Sequence, residues 1–252
     1  MHYTAQELMV AAAARAIRDG EVVFVGMRLP LIAFALAKAT HAPTAIGLFE
    51  CGIVRDTPAP ALLYTMGDAP NIAGASWCAR LIDVMGLLQA GAVDVGLIGG
   101  AEIDRYGNLN TSYIGSRQAP QVALPGSGGG ADIASLAQRL LIIMPHERRR
   151  FVARVAYRTS PGYGDGAGWR ARVGLPRGGP AAVITTLGVL GFDPERKEAV
   201  LRSYHPGQSP ATVRATTGWD LAIAPDVHET PAPTAEELAI IRRYDPEGFW
   251  TQ

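Results

Sequence analysis

Ala45-Ile46-Gly47-Leu48-Phe49-Glu50-Cys51-Gly52 is an apolar run that ends in a carboxylate, with a glycine two residues further on. A run of this kind, bounded by turn residues, reads as a buried strand of a parallel sheet. Open α/β sheets bind their ligands at the carboxyl ends of such strands. Glu50 is therefore the first candidate for chemistry, and the bland alternative is a glutamate marking where a strand reaches solvent. Cys51 is a conceivable nucleophile. On a strand it faces opposite to Glu50, so at most one of the two looks directly into a given cleft.

Towards the amino end, Thr4 with Glu7 forms a T-x-x-E capping box for an alanine-rich helix that Gly20 stops. Glu21 to Val25 reads as a short buried strand, and Pro30 suits the first turn of a helix running to about Thr40. Towards the carboxyl end, Arg55 to Ala75 reads as loop, Trp77 to Gln89 as a helix closed by Gly91, and Val93 to Ile98 as a strand. Strand, helix, strand at this spacing predicts a right-handed parallel crossover. Asp104-Arg105-Tyr106-Gly107-Asn108 is turn chemistry. The glycine-dense loop Pro125 to Asp132 opens a helix from about Ala131 to Arg139, and Leu140 to Met144 is another strand.

Past Arg150 the pattern predicts strands at Phe151 to Tyr157, Ala181 to Thr186 and Val200 to Tyr204, with Leu187 to Phe192 as a turn. Pro161 to Pro180 is a Gly-rich excursion, and Ser209-Pro210 starts a short helix that Gly218 ends. Thr234 with Glu237 is a second capping box, for a last helix through about Tyr244. The expected fold is α/β: an open, mostly parallel sheet flanked by helices, with antiparallel strands in the C-terminal half. Residues 1–252 are expected to form a single domain.

With 252 residues the chain can bury a sizeable core. Its 23 Lys and Arg balance 23 Asp and Glu, which suggests neither nucleic acid nor a general membrane attraction. Two cysteines, Cys51 and Cys78, argue against a disulfide framework and fit a reducing cytoplasm. No signal-peptide pattern and no membrane-length apolar run is evident. A soluble cytoplasmic protein is expected.

Gly126 to Ala131 satisfies G-x-G-x-x-A, with Glu147 roughly where a ribose-binding acid would lie. No clear strand runs into Gly126, Pro125 precedes it, and the G-K-[ST] ending of a Walker A loop is missing. A weaker statement survives: glycines just before a helix let backbone N–H groups approach an oxyanion or phosphate. A tight packing turn is the alternative. His146-Glu147 offers too few ligands for a metal, and none is expected. Arg148-Arg149-Arg150 fits a solvated face or a subunit contact. No G-x-S-x-G elbow supports a serine triad.

Several stretches occur in order: Val25-Gly26-Met27-Arg28-Leu29-Pro30-Leu31-Ile32, Glu50-Cys51-Gly52, Ile98-Gly99-Gly100-Ala101-Glu102-Ile103-Asp104-Arg105-Tyr106-Gly107-Asn108-Leu109-Asn110, Gly126-Ser127-Gly128-Gly129, Met144-Pro145-His146-Glu147-Arg148-Arg149-Arg150-Phe151 and Thr159-Ser160-Pro161-Gly162. Together they resemble the β subunit of class I CoA-transferases of the glutaconate type, over nearly the whole chain. The resemblance implies that Glu50 is the catalytic glutamate, carrying coenzyme A as a glutamyl thioester in a ping-pong cycle. It implies oxyanion and CoA contacts from the Gly128-Gly129 backbone, with Asn110 as a side-chain donor. No cofactor would be bound permanently, since coenzyme A arrives as acyl-CoA. The partner would be a CoA-transferase α subunit, in a hetero-oligomer with two of each subunit or more.

Cys51 departs from the Ser or Asn that usually follows the family's glutamate, which makes it a candidate modulator. It keeps open a second chemistry on the same scaffold, decarboxylation or hydrolysis of an acyl-CoA. A third reading is a non-catalytic regulatory or ligand-binding domain whose Gly-rich loop holds a nucleotide.

Overall fold

In the computed structural model, which describes residues 2–175 and 177–252, Thr4 caps the first helix, α1 (Ala5–Arg15). Its hydroxyl accepts from the Glu7 amide at 3.0 Å, and the Glu7 carboxylate accepts from the Thr4 amide at 2.9 Å. There follow β1 (Val22–Val25), α2 (Leu29–Ala39), β2 (Ile46–Phe49), β3 (Ile53–Arg55), α3 (Ala69–Ile72), β4 (Trp77–Cys78), α4 (Leu81–Gln89) and β5 (Val95–Ile98). These form one of two compact units, which runs to Ile98 and resumes at Ala232–Gln252. Its sheet has the order β5-β1-β2-β3-β4, with β5, β1 and β2 parallel and β3 and β4 added antiparallel. The parallel strands are buried almost throughout, as their continuous apolar sequence requires. Gly47 makes room for α2, because a Cβ there would stand 2.6 Å from the Phe34 ring. Phe34 in turn meets Phe49 edge to face, centroids 6.2 Å apart.

The helix expected from Trp77 begins only at Leu81. Trp77 and Cys78 pair instead with Val54 and Ile53, extending the sheet by a two-residue edge strand. The Asp83 carboxylate then accepts from the Arg80 amide at 3.0 Å, and this fixes where α4 starts.

The second unit, Gly99–Pro231, opens with two hairpins. They are β6 (Glu102–Ile103) with β7 (Leu109–Asn110), across the expected Asp104–Asn108 turn, and β8 (Tyr113–Gly115) with β9 (Pro120–Ala123). After them come α5 (Gly130–Leu136), β10 (Arg139–Ile143), α6 (Trp169–Arg172), β11 (Pro180–Ile184), β12 (Gly188–Phe192), β13 (Ala199–Tyr204), α7 (Pro210–Ala215) and β14 (Ala222–Glu229). The order β10-β11-β12-β13-β14 alternates parallel outer pairs with antiparallel inner ones. The antiparallel strands expected in the C-terminal half are β11 to β13. Of the Gly-rich excursion Pro161–Pro180, residue 176 lies outside the described residues.

Two expectations fail here. Leu187 to Phe192 is not a turn: Gly188 opens β12, which pairs with β11 and β13. Phe151 to Tyr157 is not a strand; Phe151 makes only an isolated bridge to Ile103, and the Val155 amide turns aside to the buried Asp104 carboxylate at 3.4 Å.

The last helix, α8 (Ala235–Tyr244), has the second capping box and belongs to the first unit. It is tied to α1 by Arg242 to Glu7 at 2.7 Å and Arg15 to Glu237 at 2.6 Å. No helix among the described residues is long and apolar enough to cross a membrane.

Candidate active site

The parallel strands β1 and β2 end side by side, Phe24 level with Leu48, so their carboxyl ends present Gly26-Met27-Arg28 next to Glu50-Cys51-Gly52. Glu50 is the first residue after β2, half-buried, at the start of a three-residue turn into β3. The turn is closed by the Gly52 amide donating to the Phe49 carbonyl at 2.9 Å. Gly52 sits at φ 104°, open to glycine at little cost, and a Cβ there would lie 2.3 Å from the Ala79 carbonyl oxygen. The strand end expected for Glu50 is thus a braced hairpin corner.

Cys51 lies in the same corner, and its thiol donates to the Met66 carbonyl at 3.3 Å. Desolvation of the sulfur pushes the thiol pKa up, and the neighbouring Glu50 charge adds to it. A protonated, donating thiol is a poor nucleophile.

Asn110, Gly128 and Gly129 belong to the second unit. There the glycine loop is tied to the residue after Asn110, since the Gly126 amide donates to the Thr111 carbonyl at 2.8 Å. The Thr111 amide donates to Thr159 Oγ1 at 3.0 Å. Ser160 completes the wall: a Cβ on Gly130 would come within 3.2 Å of its Oγ. Gly128 takes φ 48°, and the chain then enters α5 with Gly129 as its cap at φ −75°. Asn110 is fully buried. Its Nδ2 donates to Glu102 Oε2 at 2.8 Å and to the Tyr113 carbonyl at 2.7 Å, and its Oδ1 accepts from the Ser112 amide at 3.0 Å. Both N–H bonds of Asn110 are therefore committed to holding the 110–113 bend, and a donor role towards substrate requires one of them to be released.

Two further features carry no mark in the local sequence. Arg28 caps α2 at φ 73°, one of two non-glycine residues with positive φ among those described, and its guanidinium lies 5.1 Å from the Trp250 ring centroid. Strained backbone of this kind clusters at functional sites, and no local sequence signal marks it. Glu102 is buried beside Asn110, a pairing that β6 and β7 create by register and that spacing alone does not reveal. His146 lies apart from any ligand set. It is buried, stacked on Phe151 at 3.7 Å, with Nδ1 3.2 Å from Thr185 Oγ1 and Nε2 3.1 Å from Thr217 Oγ1. Among the described residues no group of three or more His, Cys, Asp or Glu is placed to hold a metal ion.

Comparison with known proteins gives consistent matches. The family model described as coenzyme A transferase matches residues 6–215. The β subunit of the 3-oxoadipate CoA-transferase of Pseudomonas knackmussii is 39% identical over 241 residues, covering 95% of this chain and 92% of that one. The β subunit of the glutaconate CoA-transferase of Acidaminococcus fermentans is 37% identical over 258 residues, covering 100% and 96%. The crystal structure of that glutaconate enzyme superposes with a TM-score of 0.93, covering 100% of this chain and 98% of that chain at 35% identity. A decarboxylase, AibA/AibB, superposes with a TM-score of 0.84, covering 98% and 97% at 31% identity.

Proposed function

Since the chain belongs to the coenzyme A transferase family, with the β subunits of the glutaconate and 3-oxoadipate enzymes, we propose that it moves coenzyme A between an acyl-CoA and a short dicarboxylic or oxo acid through a thioester on Glu50. The observation that carries this reading is the placement of Glu50 at a braced corner on the carboxyl edge of the parallel strands, beside a thiol that is held protonated.

The steps balance without an outside proton. Glu50 Oε attacks the acyl-CoA carbonyl; a C–O bond forms, the C–S bond breaks, and CoA thiolate leaves, giving an acyl-glutamyl anhydride. The thiolate then attacks the glutamyl carbonyl, releasing the donor carboxylate and leaving CoA on Glu50 as a thioester. The acceptor carboxylate attacks that thioester, and the freed thiolate takes the new acyl group from the mixed anhydride, returning Glu50 to carboxylate. Covalent capture keeps the activation of the thioester that hydrolysis would dissipate. Each step passes through a tetrahedral oxyanion, whose stabilisation we assign to the Gly128 and Gly129 backbone. Asn110 in this account is a positioning residue that holds the 110–113 bend against the glycine loop.

The working enzyme pairs this chain with an α-type subunit, and coenzyme A enters only as substrate. The test is mass spectrometry of the two-subunit complex after exposure to a panel of acyl-CoAs without acceptor. A CoA adduct on the peptide containing Glu50 supports the proposal. Carbon dioxide release or net hydrolysis with no adduct refutes it in favour of a decarboxylase or hydrolase.

A further inference from the structure

Edge strand β4 and helix α4 form a face that the chain itself leaves uncovered. Trp77 is 46% exposed on the outermost strand of the first unit's sheet, with Cys78 exposed beside it. Leu81 and Ile82, at the start of α4, are 50% and 63% exposed. A solvent-facing helix ordinarily turns charges outward. The sole charge in Leu81–Gln89 is Asp83, and Arg80 occupies both its oxygens, at 2.8 Å and 3.0 Å. The outward face is thus left to Leu81, Ile82, Gly86 and Gln89. Gly86 is informative because a methyl there would meet nothing within 4 Å. No packing among the described residues calls for a glycine that costs a helix interior roughly 1 kcal/mol relative to alanine. A small residue on an outer surface lets a second backbone come close. Edge strands are commonly blunted with charge; this one carries a tryptophan, the residue type richest in interface hot spots.

We infer that this β4–α4 face is where the α-type partner subunit docks. The inference rests on the proposed two-subunit reading, which the relatives support in being β subunits of their enzymes. The occupant is a protein surface that is apolar where it meets Ile82, since the charges beside it, Arg80 and Asp83, are already paired with each other at 2.8 Å. The consequence for Glu50 is direct. The Ala79 amide, next to Cys78, donates to the Gly52 carbonyl at 2.8 Å. A partner seated on β4 therefore rests on the strand that braces the turn holding Glu50.

The experiment uses the co-expressed two-subunit complex and reads its dissociation constant by mass photometry. Ile82→Lys is expected to weaken assembly about 30- to 100-fold, whereas Val173→Lys, at another exposed apolar position, leaves it unchanged. A measurement without substitution keeps the inference testable if Ile82→Lys does not fold. Cys78, mapped by peptide, should react with a maleimide in the isolated chain and be protected in the complex. Equal labelling in both, or a folded Ile82→Lys variant that assembles like the parent, overturns the inference. So does protection of Cys78 by self-association of the isolated chain, which would make a second copy the occupant. Failure of CoA loading on Glu50 in a complex that protects Cys78 would refute the proposed chemistry and leave the docking face standing.

Discussion

Gly52 and Ala79 are locked backbone to backbone, with the Ala79 amide 2.8 Å from the Gly52 carbonyl and no room for a Cβ on Gly52. Gly52→Ala must adopt φ near 104° and displace the Ala79 carbonyl. We expect a loss of about 2–3 kcal/mol in urea unfolding. Turnover of the complex should fall further than the residual folded fraction explains, because the Glu50 corner moves. A variant of parental stability and activity would show that the corner is not constrained.

Gly129 separates a backbone donor from a space requirement, because its φ of −75° suits both alanine and proline. Gly129→Ala should retain activity, whereas Gly129→Pro, which removes the N–H and sets its ring against Gly128, should lower kcat about 10²- to 10³-fold. Steady-state kinetics on both complexes decide it, and equal kcat values would remove the amide from the mechanism.

Burial depresses the His146 imidazole from the ordinary 6.5 to about 4, and His205 shifts in the same direction. The unfolded chain therefore takes up protons first as pH falls. The contribution of neutral His146 is complete above pH 6.5 and is lost between 6.5 and about 4, amounting to roughly 3 kcal/mol. Urea midpoints across that window should drop less steeply for His146→Gln than for the parent. Parallel curves would contradict the burial argument.

Glu7 is buried, accepts from both the Thr4 amide and Arg242, and thereby joins α1 to α8. Burial alone would raise its pKa, but the bonds from Arg242 and Thr4 outweigh it and hold the carboxyl below the usual range. Its stabilisation is present at neutral pH and fades as pH falls through that lowered value. Arg242 is half-exposed, so Glu7→Gln should cost about 1–2 kcal/mol at pH 7 and less in acid. An equal cost at both pH values would assign the effect to packing.

The parts of the fold legible in sequence are those whose cause is local. Thr4 with Glu7, Thr234 with Glu237, and Ser209 each cap a helix through bonds within three residues, and all three caps form. Long-range pairing was not legible. Trp77-Cys78 becomes strand only because Ile53 and Val54 lie alongside, and Gly188 joins β12 where its missing side chain lets the Ser203 carbonyl approach. β14 carries Pro225, which its place on the outermost strand tolerates. At the site, Glu50 was visible as a carboxylate closing an apolar run. The commitment of Asn110 to Glu102 and Tyr113 needed the hairpin register to bring it about.

The most direct test is borohydride or hydroxylamine trapping of the two-subunit complex incubated with acyl-CoA alone, read by peptide mass. The account predicts a modification confined to the peptide bearing Glu50 and absent from Glu50→Gln, whose turnover should fall to background. Normal turnover by Glu50→Gln, or a trapped group on Cys51 instead, would contradict it.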